Sequence, residues 1–491
     1  MPPSLAKGTA YLTFSGLIFM GSGYIVQLLI GRFFDPAIYG TFGVVLYLLN
    51  IINTILASGF FQGISRSISE KESAAKTILK KGLKIEIILT GAFGLIYFLL
   101  SKQIAHIFND PDMAHYIRLT ALIIPIYGIR TVYTGLLNGL KRFDKQALAQ
   151  ITAAFVKLGL VAVFLYLKLS LGTIILAYFF AALASLTVSF LFSKIKDGLA
   201  EYSGKKLLKT TLAISVYSFS FPLLMSVDLF LVKYFVKDAS LAGYYNSATT
   251  LARFLYVLFS GFIMSLLPIV SGHFYKSNLE KVQLYCRRAF RFGIMFLLPF
   301  SIIASLTSSC LLPFVFSDKY SSAAGPFSIL IFGVALLTIT RIGMTLIVAV
   351  GKQNLSLYFT LSLLVLSVIL NYLFIPNYGI EGAAWATTSA GIIGLILALT
   401  YLKVKLKKVI NWLSTFRIIL ASTVIGFASY FLADMEILNG FWIVLWYIVL
   451  VLVYIFLLWL MKEISSRDIS AVKEIVVRKN KNNVGIKNEV E

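Results

Sequence analysis

Long apolar runs recur along this chain from residue 9 to residue 461, and they constrain its fold more than any other feature. The hydrocarbon core of a bilayer requires about 20 apolar residues per helical span. Backbone polar groups inside lipid must be satisfied within each segment, so these runs predict transmembrane helices. Only 13% of the residues are charged, which is also untypical of a soluble globular protein.

The sequence predicts an all-α polytopic membrane protein with about fourteen spans. The predicted spans are residues 9–31, 39–61, 82–100, 117–139, 147–167, 171–193, 209–232, 242–267, 289–309, 326–350, 355–375, 380–402, 415–433 and 440–461. The first run is too long, and its flank too weakly basic, for a cleaved signal peptide. We therefore expect it to be retained as a helix.

Lysine and arginine residues concentrate in alternate loops, which predicts the orientation of the chain. The loops on the basic side include Lys76, Lys80, Lys81, Lys141, Arg142, Lys205, Lys206, Arg287, Arg288, Lys352, Lys405 and Lys407. The opposite loops carry more acids, among them Asp35, Asp110 and Asp112. We therefore expect both termini to be cytoplasmic in a plasma (inner) membrane protein. The net charge of +23 indicates this topology and attraction to anionic lipid headgroups, rather than nucleic-acid binding.

Two sequence patterns recur about 200 residues apart. Residues 30–40 and 231–244 each contain an apolar helix end, a base, two aromatic residues, an acid and a turn to glycine. Farther along, an arginine, a threonine and a lysine occur twice with the same spacing, first as Arg130, Thr134 and Lys141 and then as Arg341, Thr345 and Lys352. Chance similarity among hydrophobic segments is the alternative explanation. We interpret the patterns as a repeat of six spans.

A repeat with an even number of spans keeps both copies in the same orientation, so an axis along the membrane normal should relate them. The predicted divisions are an N-lobe (residues 1–200, spans one to six), a C-lobe (201–408, spans seven to twelve), the last two spans (409–461) and a basic cytoplasmic tail (462–491). Substrate would then bind between the two lobes.

Four basic side chains lie in the middle of predicted spans: Arg130, Lys157, Arg253 and Arg341. A lysine or arginine at a helix centre costs roughly 2.5 to 3.5 kcal/mol on insertion scales. The chain has few acidic residues to pair them, so these positions predict a water-filled or anion-occupied cavity. An alternative for Arg130 and Arg341 is that they extend to the cytoplasmic headgroups. A cationic interior predicts an anionic substrate.

Polar residues at helical spacing extend the predicted cavity. The candidates for its lining are Asn50, Thr134, Asn138, Gln150, Asn246, Tyr256, Thr345 and Asn371. Stripes of serine and threonine alone more often indicate packing between helices, whereas a stripe that also carries arginine or lysine favours a pathway. No catalytic constellation is apparent in the sequence, so we predict neither an enzyme nor a cofactor. His106 and His115 flank an outer loop that carries Asp110 and Asp112. We interpret this cluster as a solvated loop, with a metal site as the alternative.

Two intramembrane acids are candidates for ion coupling: Asp228 near the outer end of the seventh span, and Glu86 near the inner end of the third. The alternative is that both are interfacial and that Asp228 neutralises Lys233. No ATP-binding loop is apparent. An inside-negative potential favours outward passage of an anion by roughly 2.3 kcal/mol per charge at 100 mV, so we prefer transport assisted by the potential.

Several of these features together resemble a known family. Residues 59–66 at the end of the second span, and Pro268 and Ser271 at the end of the eighth, are similar to polysaccharide-lipid flippases of the Wzx type. These belong to the superfamily (MOP) that also contains lipid II flippases and multidrug and toxin extruders (MATE). The resemblance covers residues 1 to about 461. It implies two six-helix lobes in a V shape around a central cationic cavity.

The resemblance implies a function as well as a fold. Such proteins translocate an oligosaccharide, typically linked to undecaprenyl diphosphate, from the cytoplasmic to the outer leaflet for cell-surface polysaccharide biosynthesis. We expect Arg130 and Arg341 to bind the diphosphate first, and Arg253 and Lys157 to receive it. The expected partners are this substrate, membrane lipids and polysaccharide-assembly enzymes, with a monomeric chain. The alternatives are a drug or cation antiporter, whose cationic substrates a basic cavity would repel, and a membrane glycosyltransferase or glycan polymerase.

Overall fold

The structure, a computed structural model, describes residues 5–195, 200–236, 238–433 and 442–463. All regular secondary structure in these ranges is helical. The α-helices are α1 (Leu5–Phe33), α2 (Pro36–Glu70), α3 (Ala75–Leu99), α4 (Ser101–Ile107), α5 (Met113–Ala121), α6 (Ile123–Gly139), α7 (Phe143–Tyr166), α8 (Leu171–Leu191), α9 (Gly204–Leu224), α10 (Val227–Phe235), α11 (Ala239–Tyr275), α12 (Leu279–Leu306), α13 (Ser308–Val315), α14 (Ala324–Ala349), α15 (Gln353–Leu406), α16 (Trp412–Ala433) and α17 (Trp442–Leu460). Two short 3-10 helices, Glu72–Ala74 and Asp318–Ala323, precede α3 and α14.

The all-helical membrane fold is confirmed. Among the described residues, 12 helices are long and apolar enough to cross a membrane, and α9 with α10 make a thirteenth if they form one bent span. Helix α15 has 54 residues, about 81 Å at 1.5 Å per residue, which is far longer than a bilayer core. Two spans in α15 would bring the total to fourteen, but that count stays a prediction.

Helix α15 bends where the sequence predicts a boundary between two spans. Gly379 has φ 57° and ψ −138°, a conformation that glycine adopts without steric penalty because it lacks a Cβ atom. Pro376 lies three residues earlier and provides no backbone N–H for the helix ladder. These two residues place the bend between predicted spans 355–375 and 380–402.

The predicted seventh span, residues 209–232, differs from the structure. The chain there forms α9 and α10, which meet at an angle of 43°. Pro222 lies in the last turn of α9, and the Ser226 hydroxyl donates to the Pro222 carbonyl at 2.8 Å. The break frees the carbonyl of Met225, which accepts a hydrogen bond from the Arg253 side chain. A break in α9–α10 therefore lies beside one of the mid-span cations.

Helices from the first half of the chain (α1–α8) pack directly on those of the second half (α9–α15). Helix α2 contacts α6 of its own half and both α9 and α11 of the other, while α14 contacts α11, α12 and α15. One hydrophobic cluster includes Phe42 of α2, Tyr245 of α11 and Phe327 of α14. The division into two lobes stays a prediction. Helix α2 therefore connects the two halves through its contacts with α9 and α11.

The last two helices pack against α12. A separate hydrophobic cluster joins Ile303 of α12 to Ile418 and Ile425 of α16 and to Leu450 of α17. Just beyond α17, the buried Glu463 carboxylate accepts from Arg291 Nε of α12 at 2.7 Å. The predicted tail beyond residue 463, and the turn at 434–441, lie outside the described residues.

Replacing Glu463 with glutamine should loosen the contact between the last helices and α12. Removing one partner of a buried ion pair costs roughly 3 to 5 kcal/mol, and because Arg291 retains 19% exposure we expect a loss of about 2 kcal/mol. Thermal unfolding in detergent measures this loss. Glu70→Gln is the matched control, since the Arg66–Glu70 pair is exposed and should contribute under about 1 kcal/mol. Equal midpoints for the two variants would contradict the expected role of Glu463.

Candidate functional site

A cavity of ≈ 260 Å³ lies among helices of the first half of the chain and reaches α11. Its lining is rich in aromatic and amide side chains, with one lysine: Phe19, Tyr24, Gln27, Tyr47, Asn50, Tyr127, Lys157, Tyr178 and Thr250. Lys157 and Asn50 were predicted from the sequence. Tyr47 belongs to the same predicted polar stripe as Asn50, whereas Tyr24, Tyr127, Tyr178 and Gln27 were not predicted.

Lys157 brings a positive charge into this cavity. Its side chain is only 6% exposed, and Nζ lies 4.9 Å from the ring centre of Phe19 and 5.6 Å from that of Tyr178. Among the described residues, no carboxylate lies within ion-pair distance of Lys157. Two aromatic faces compensate part of the desolvation, because a cation over a ring gains roughly 0.5 to 2 kcal/mol. No acid among the described residues neutralises the charge, which is available to an anion.

Arg130 lies at the edge of the same cavity. Its guanidinium carbon lies 4.8 Å from the ring centre of Tyr127, and that ring lines the cavity. The Nε atom of Arg130 is buried without a hydrogen-bond partner, and no acid pairs with the side chain, within the part of the chain that the structure describes. A second cation is therefore positioned one aromatic ring away from the cavity. The spacing of Tyr127 and Arg130, one helical turn, was the sequence signal that could have identified Tyr127.

Arg253 of α11, in the second half of the chain, lies one aromatic ring away from the cavity. Its guanidinium carbon lies 4.6 Å from the ring centre of Tyr47, another residue that lines the cavity, and Arg253 is 8% exposed. Its Nη2 atom contacts Asp228 Oδ1 at 3.2 Å. The prediction that the mid-span cations lack acidic partners is therefore wrong for Arg253. The break between α9 and α10 is the physical reason, because it places the start of α10 beside α11.

Arg341 of α14 lies in the second half, with its guanidinium carbon 4.8 Å from the ring centre of Phe221. The ring of Tyr256 lies 5.8 Å from Phe221, so the two predicted residues share one aromatic neighbour. Thr134 and Thr345, which occupy equivalent positions in the predicted repeat, have the same local geometry. Each threonine hydroxyl donates to the carbonyl of the arginine four residues earlier, at 3.1 Å and 2.8 Å respectively.

The other predicted lining residues make contacts within or between helices. Asn138 donates to Gln146 at 2.7 Å, Gln150 accepts from Ser15 at 2.7 Å, Asn246 donates to the Tyr39 carbonyl at 3.1 Å, and Asn371 donates to the Ser367 carbonyl at 2.8 Å. Amide hydrogen bonds of this kind stabilise helix packing. The side-chain oxygens of Asn246 and Asn371, however, are buried without a hydrogen-bond partner among the described residues. Their role in lining a substrate path stays a prediction.

The two candidate coupling acids differ in their surroundings. Asp228 is bonded to Arg253, and Lys233 instead contacts Asp110, so the interpretation that Asp228 neutralises Lys233 is wrong. Glu86 is fully buried, and neither of its carboxylate oxygens has a hydrogen-bond partner among the described residues. It lies against α6, where a Cβ atom at Gly128 would be 3.1 Å from Glu86 Cγ. A coupling role for either acid stays a prediction.

Near their predicted outer ends, α2 and α11 meet in a contact that is here called the outer contact: Tyr39 and Gly40 against Gly243, Asn246 and Thr250. Thr250 also lines the cavity. The Tyr39 hydroxyl lies 3.1 Å from the Thr250 hydroxyl, and a Cβ atom at Gly40 would lie 2.6 Å from the Gly243 nitrogen. The two backbones approach closely because glycine stands on both helices. This surface therefore brings together the two halves of the chain.

An ion pair, here called the outer ion pair, lies beside the outer contact. Lys233 Nζ of α10 lies 2.7 Å from Asp110 Oδ2 and 3.2 Å from the Thr41 hydroxyl. Thr41 also donates to Asp110 at 2.6 Å. Burial of Asp110 opposes its ionisation, but the hydrogen bonds from Lys233 and Thr41 outweigh it and lower the pKa of the carboxyl. This pair again joins the first half of the chain to the second.

The outer ion pair should survive mild acidification. Because the pKa of Asp110 is lowered from 3.8, the ionised form is favoured in the closed structure, and its contribution is lost only as the pH falls through that lowered value. We expect the distance between probes at exposed Lys102 and Asn377 to stay constant down to about pH 5. An increase in that distance near neutral pH would contradict the assignment. In Asp110→Asn, the distance should not change with acidification in this range.

Comparisons with known proteins identify the family of the chain. The family described as "Polysaccharide biosynthesis protein" matches residues 29–325. An uncharacterized membrane protein of Methanocaldococcus jannaschii is 29% identical over 181 residues, which are 36% of this chain. The chain spans about a third (35%) of the length of that curated relative.

Two solved structures share the fold. The lipid II flippase MurJ in an inward closed conformation aligns with TM-score 0.76 and 15% identity, covering 95% of this chain and 99% of that one. A multidrug resistance MATE family transporter of the MOP superfamily, in an inward-facing conformation, aligns with TM-score 0.70 and 16% identity, covering 82% and 99%. At these identities the likeness concerns the fold alone.

Proposed function

Because this chain belongs to the polysaccharide biosynthesis protein family, we propose that it flips an oligosaccharide linked to undecaprenyl diphosphate from the cytoplasmic to the outer leaflet. The protein acts in the plasma membrane with both termini in the cytoplasm, and it supplies lipid-linked glycan to the enzymes that assemble a surface polysaccharide. It works as a transporter of the Wzx type and not as an enzyme.

The observation that carries the proposal is the buried charge of Lys157 in the cavity, with no acidic partner in the described ranges. An unpaired buried cation is costly, and an anionic ligand compensates it. A diphosphate carries about two negative charges, and arginine pairs with phosphate oxygens through two parallel hydrogen bonds. Arg130 and Arg253, each one ring away from the cavity, could share that ligand with Lys157.

The aromatic lining fits a glycan beside the diphosphate. Tyr24, Tyr47, Tyr127 and Tyr178 have apolar faces and polar hydroxyls, and Gln27 and Asn50 have amides that donate and accept. The side-chain amide oxygen of Gln27 (Oε1) is buried without a hydrogen-bond partner among the described residues. Such groups can hydrogen-bond sugar hydroxyls while the rings pack against the ring faces of the sugar.

A leaflet-exchange assay tests the proposed function. The protein is reconstituted in liposomes that contain a fluorescent short-glycan undecaprenyl diphosphate, and a membrane-impermeant quencher reports the fraction in the outer leaflet. We expect exchange that depends on the protein and is accelerated when the donor side is negative, because the potential drives the anionic headgroup across. The matched substrate carries the same glycan on a neutral lipid linker and should exchange much more slowly.

Two results would contradict the proposal. Equal rates for the diphosphate and neutral lipids would show that the cations do not select the headgroup. Ethidium efflux from the same liposomes, with no exchange of the lipid diphosphate, would favour a drug or cation antiporter instead. Exchange that persists without a potential while a proton or sodium gradient remains would exclude transport driven by the potential alone.

A further inference from the structure

The short helix α10 makes a buried ionic contact near each of its ends. Asp228 lies in its first turn and contacts Arg253 at the cavity, whereas Lys233 lies in its last turn and contacts Asp110 at the outer ion pair. The two residues are five positions apart, about 7.5 Å along the helix axis. One rigid element of nine residues therefore connects the cationic site to the closure of the outer side.

At its inner end, α10 is held by a network around Asp228. The carboxylate is 2% exposed and accepts from Arg253 at 3.2 Å, from the Tyr245 hydroxyl at 2.9 Å and from the Thr387 hydroxyl at 3.3 Å. Arg253 provides the positive charge in this network. A phosphate that binds Arg253 would compete with Asp228 for the same guanidinium group.

At its outer end, α10 is held by the first half of the chain. Lys233 is 3% exposed, and both of its partners, Asp110 and Thr41, belong to that half. The ends of α10 also allow it to move as a unit. A bend of 43° separates it from α9, and Val236 follows in an extended conformation with ψ 120°.

We propose that α10 couples binding of an anion in the cavity to opening of the outer side. A phosphate bound to Arg253 displaces Asp228, α10 shifts as a rigid body, and Lys233 is withdrawn from Asp110, so that the outer ion pair and then the outer contact open. Asp228 and Lys233 are positioning residues in this step. The inference rests on the proposed function for the identity of the anion, a lipid diphosphate.

Distance measurements between spin labels test the coupling. The labels are placed at two exposed outer positions, Lys102→Cys and Asn377→Cys, in full-length protein carrying Cys286→Ala and Cys310→Ser. We expect Asp228→Asn, without any ligand, to raise the ratio of open to closed outer sides at least about tenfold, which corresponds to 1.4 kcal/mol. The control Asp112→Asn removes an exposed carboxylate from the loop of Asp110 and should leave the ratio unchanged.

A second variant tests the same coupling in the opposite direction. Coupling between two sites is reciprocal. Asp110→Asn removes the outer ion pair and changes no residue of the cavity. It should therefore tighten binding of undecaprenyl diphosphate roughly fivefold or more. Unchanged affinity in Asp110→Asn, or an unchanged distance in Asp228→Asn, would overturn the coupling.

The two proposals fail in different ways. If undecaprenyl diphosphate binds the wild type and leaves the outer distance unchanged, the coupling is wrong and the proposed substrate stands. If the lipid does not bind but Asp228→Asn opens the outer side, the coupling through α10 stands and the proposed substrate is wrong. A cooperative thermal unfolding transition shows that Asp228→Asn is folded. If Asp228→Asn does not fold, the affinity of Asp110→Asn for undecaprenyl diphosphate decides whether the coupling exists.

Discussion

Replacing Lys157 with glutamine is expected to slow leaflet exchange of a glycan lipid diphosphate by about ten- to a hundredfold. Glutamine keeps a polar side chain of similar reach but removes the charge. A hydrogen bond to a charged group contributes roughly 1.5 to 3 kcal/mol, and each 1.4 kcal/mol changes a rate or an equilibrium tenfold. Lys157 should show a large effect because no described carboxylate neutralises it and it lies directly in the cavity.

A matched control lies on the same helix. Lys145 is at the start of α7, pairs with Asp144 and is 40% exposed, so Lys145→Gln should leave exchange close to that of the wild type. Lys157→Arg keeps the charge and should retain more activity than Lys157→Gln. If Lys157→Gln and Lys145→Gln have the same rate, the cavity lysine does not bind the headgroup.

The second large effect is expected at the outer contact, in Gly243→Ala. A methyl group at this position would overlap the carbonyl of Pro36, which is backbone at the start of α2 and cannot rotate away. Because Pro36 and Gly243 belong to different halves of the chain, we expect the halves to part at the outer side while each stays folded. Overpacking costs roughly 1 to 3 kcal/mol, so the open population should rise about ten- to a hundredfold and leaflet exchange should fall.

Helix α11 offers the control for this prediction. Gly261 lies on the same helix with no atom within 4 Å of a Cβ at that position, so Gly261→Ala should be close to wild type in exchange and stability. The distance between labels at Lys102 and Asn377 reports the opening. An unchanged distance in Gly243→Ala would show that the outer contact can relax around the methyl group, and it would contradict a steric role for this glycine.

The sequence predicts the helical membrane fold well, because long apolar runs have few alternatives in lipid. The bend in α15 was also predictable, since Pro376 and Gly379 interrupt a long apolar run. Pro222 predicts a place where the seventh span can bend, but not the division of that span into α9 and α10. Proline is common in membrane helices, and hydropathy across residues 209–232 is continuous. Whether a proline bends or breaks a helix depends on tertiary partners such as Arg253.

The candidate site was partly predictable for a similar reason. Charged residues inside apolar runs are conspicuous, so Lys157 and Arg130 could be selected from the sequence. Tyr24, Tyr127 and Tyr178 were missed, because tyrosine is ordinary in a membrane helix and only the fold shows that these rings share a cavity. The pairings Arg253–Asp228 and Lys233–Asp110 were missed because each depends on how separate elements pack. Arg253 of α11 meets Asp228 of α10, and Lys233 of α10 meets Asp110 of the loop before α5.

We propose that the cationic cavity binds the diphosphate of a lipid-linked glycan. The structure of the protein with bound undecaprenyl diphosphate would show where the phosphate groups lie. We expect phosphate density within hydrogen-bond distance of Lys157 Nζ, with Arg130 or Arg253 on the same group. Phosphate density only at the membrane surface, with the cavity around Lys157 free of it, would contradict the claim.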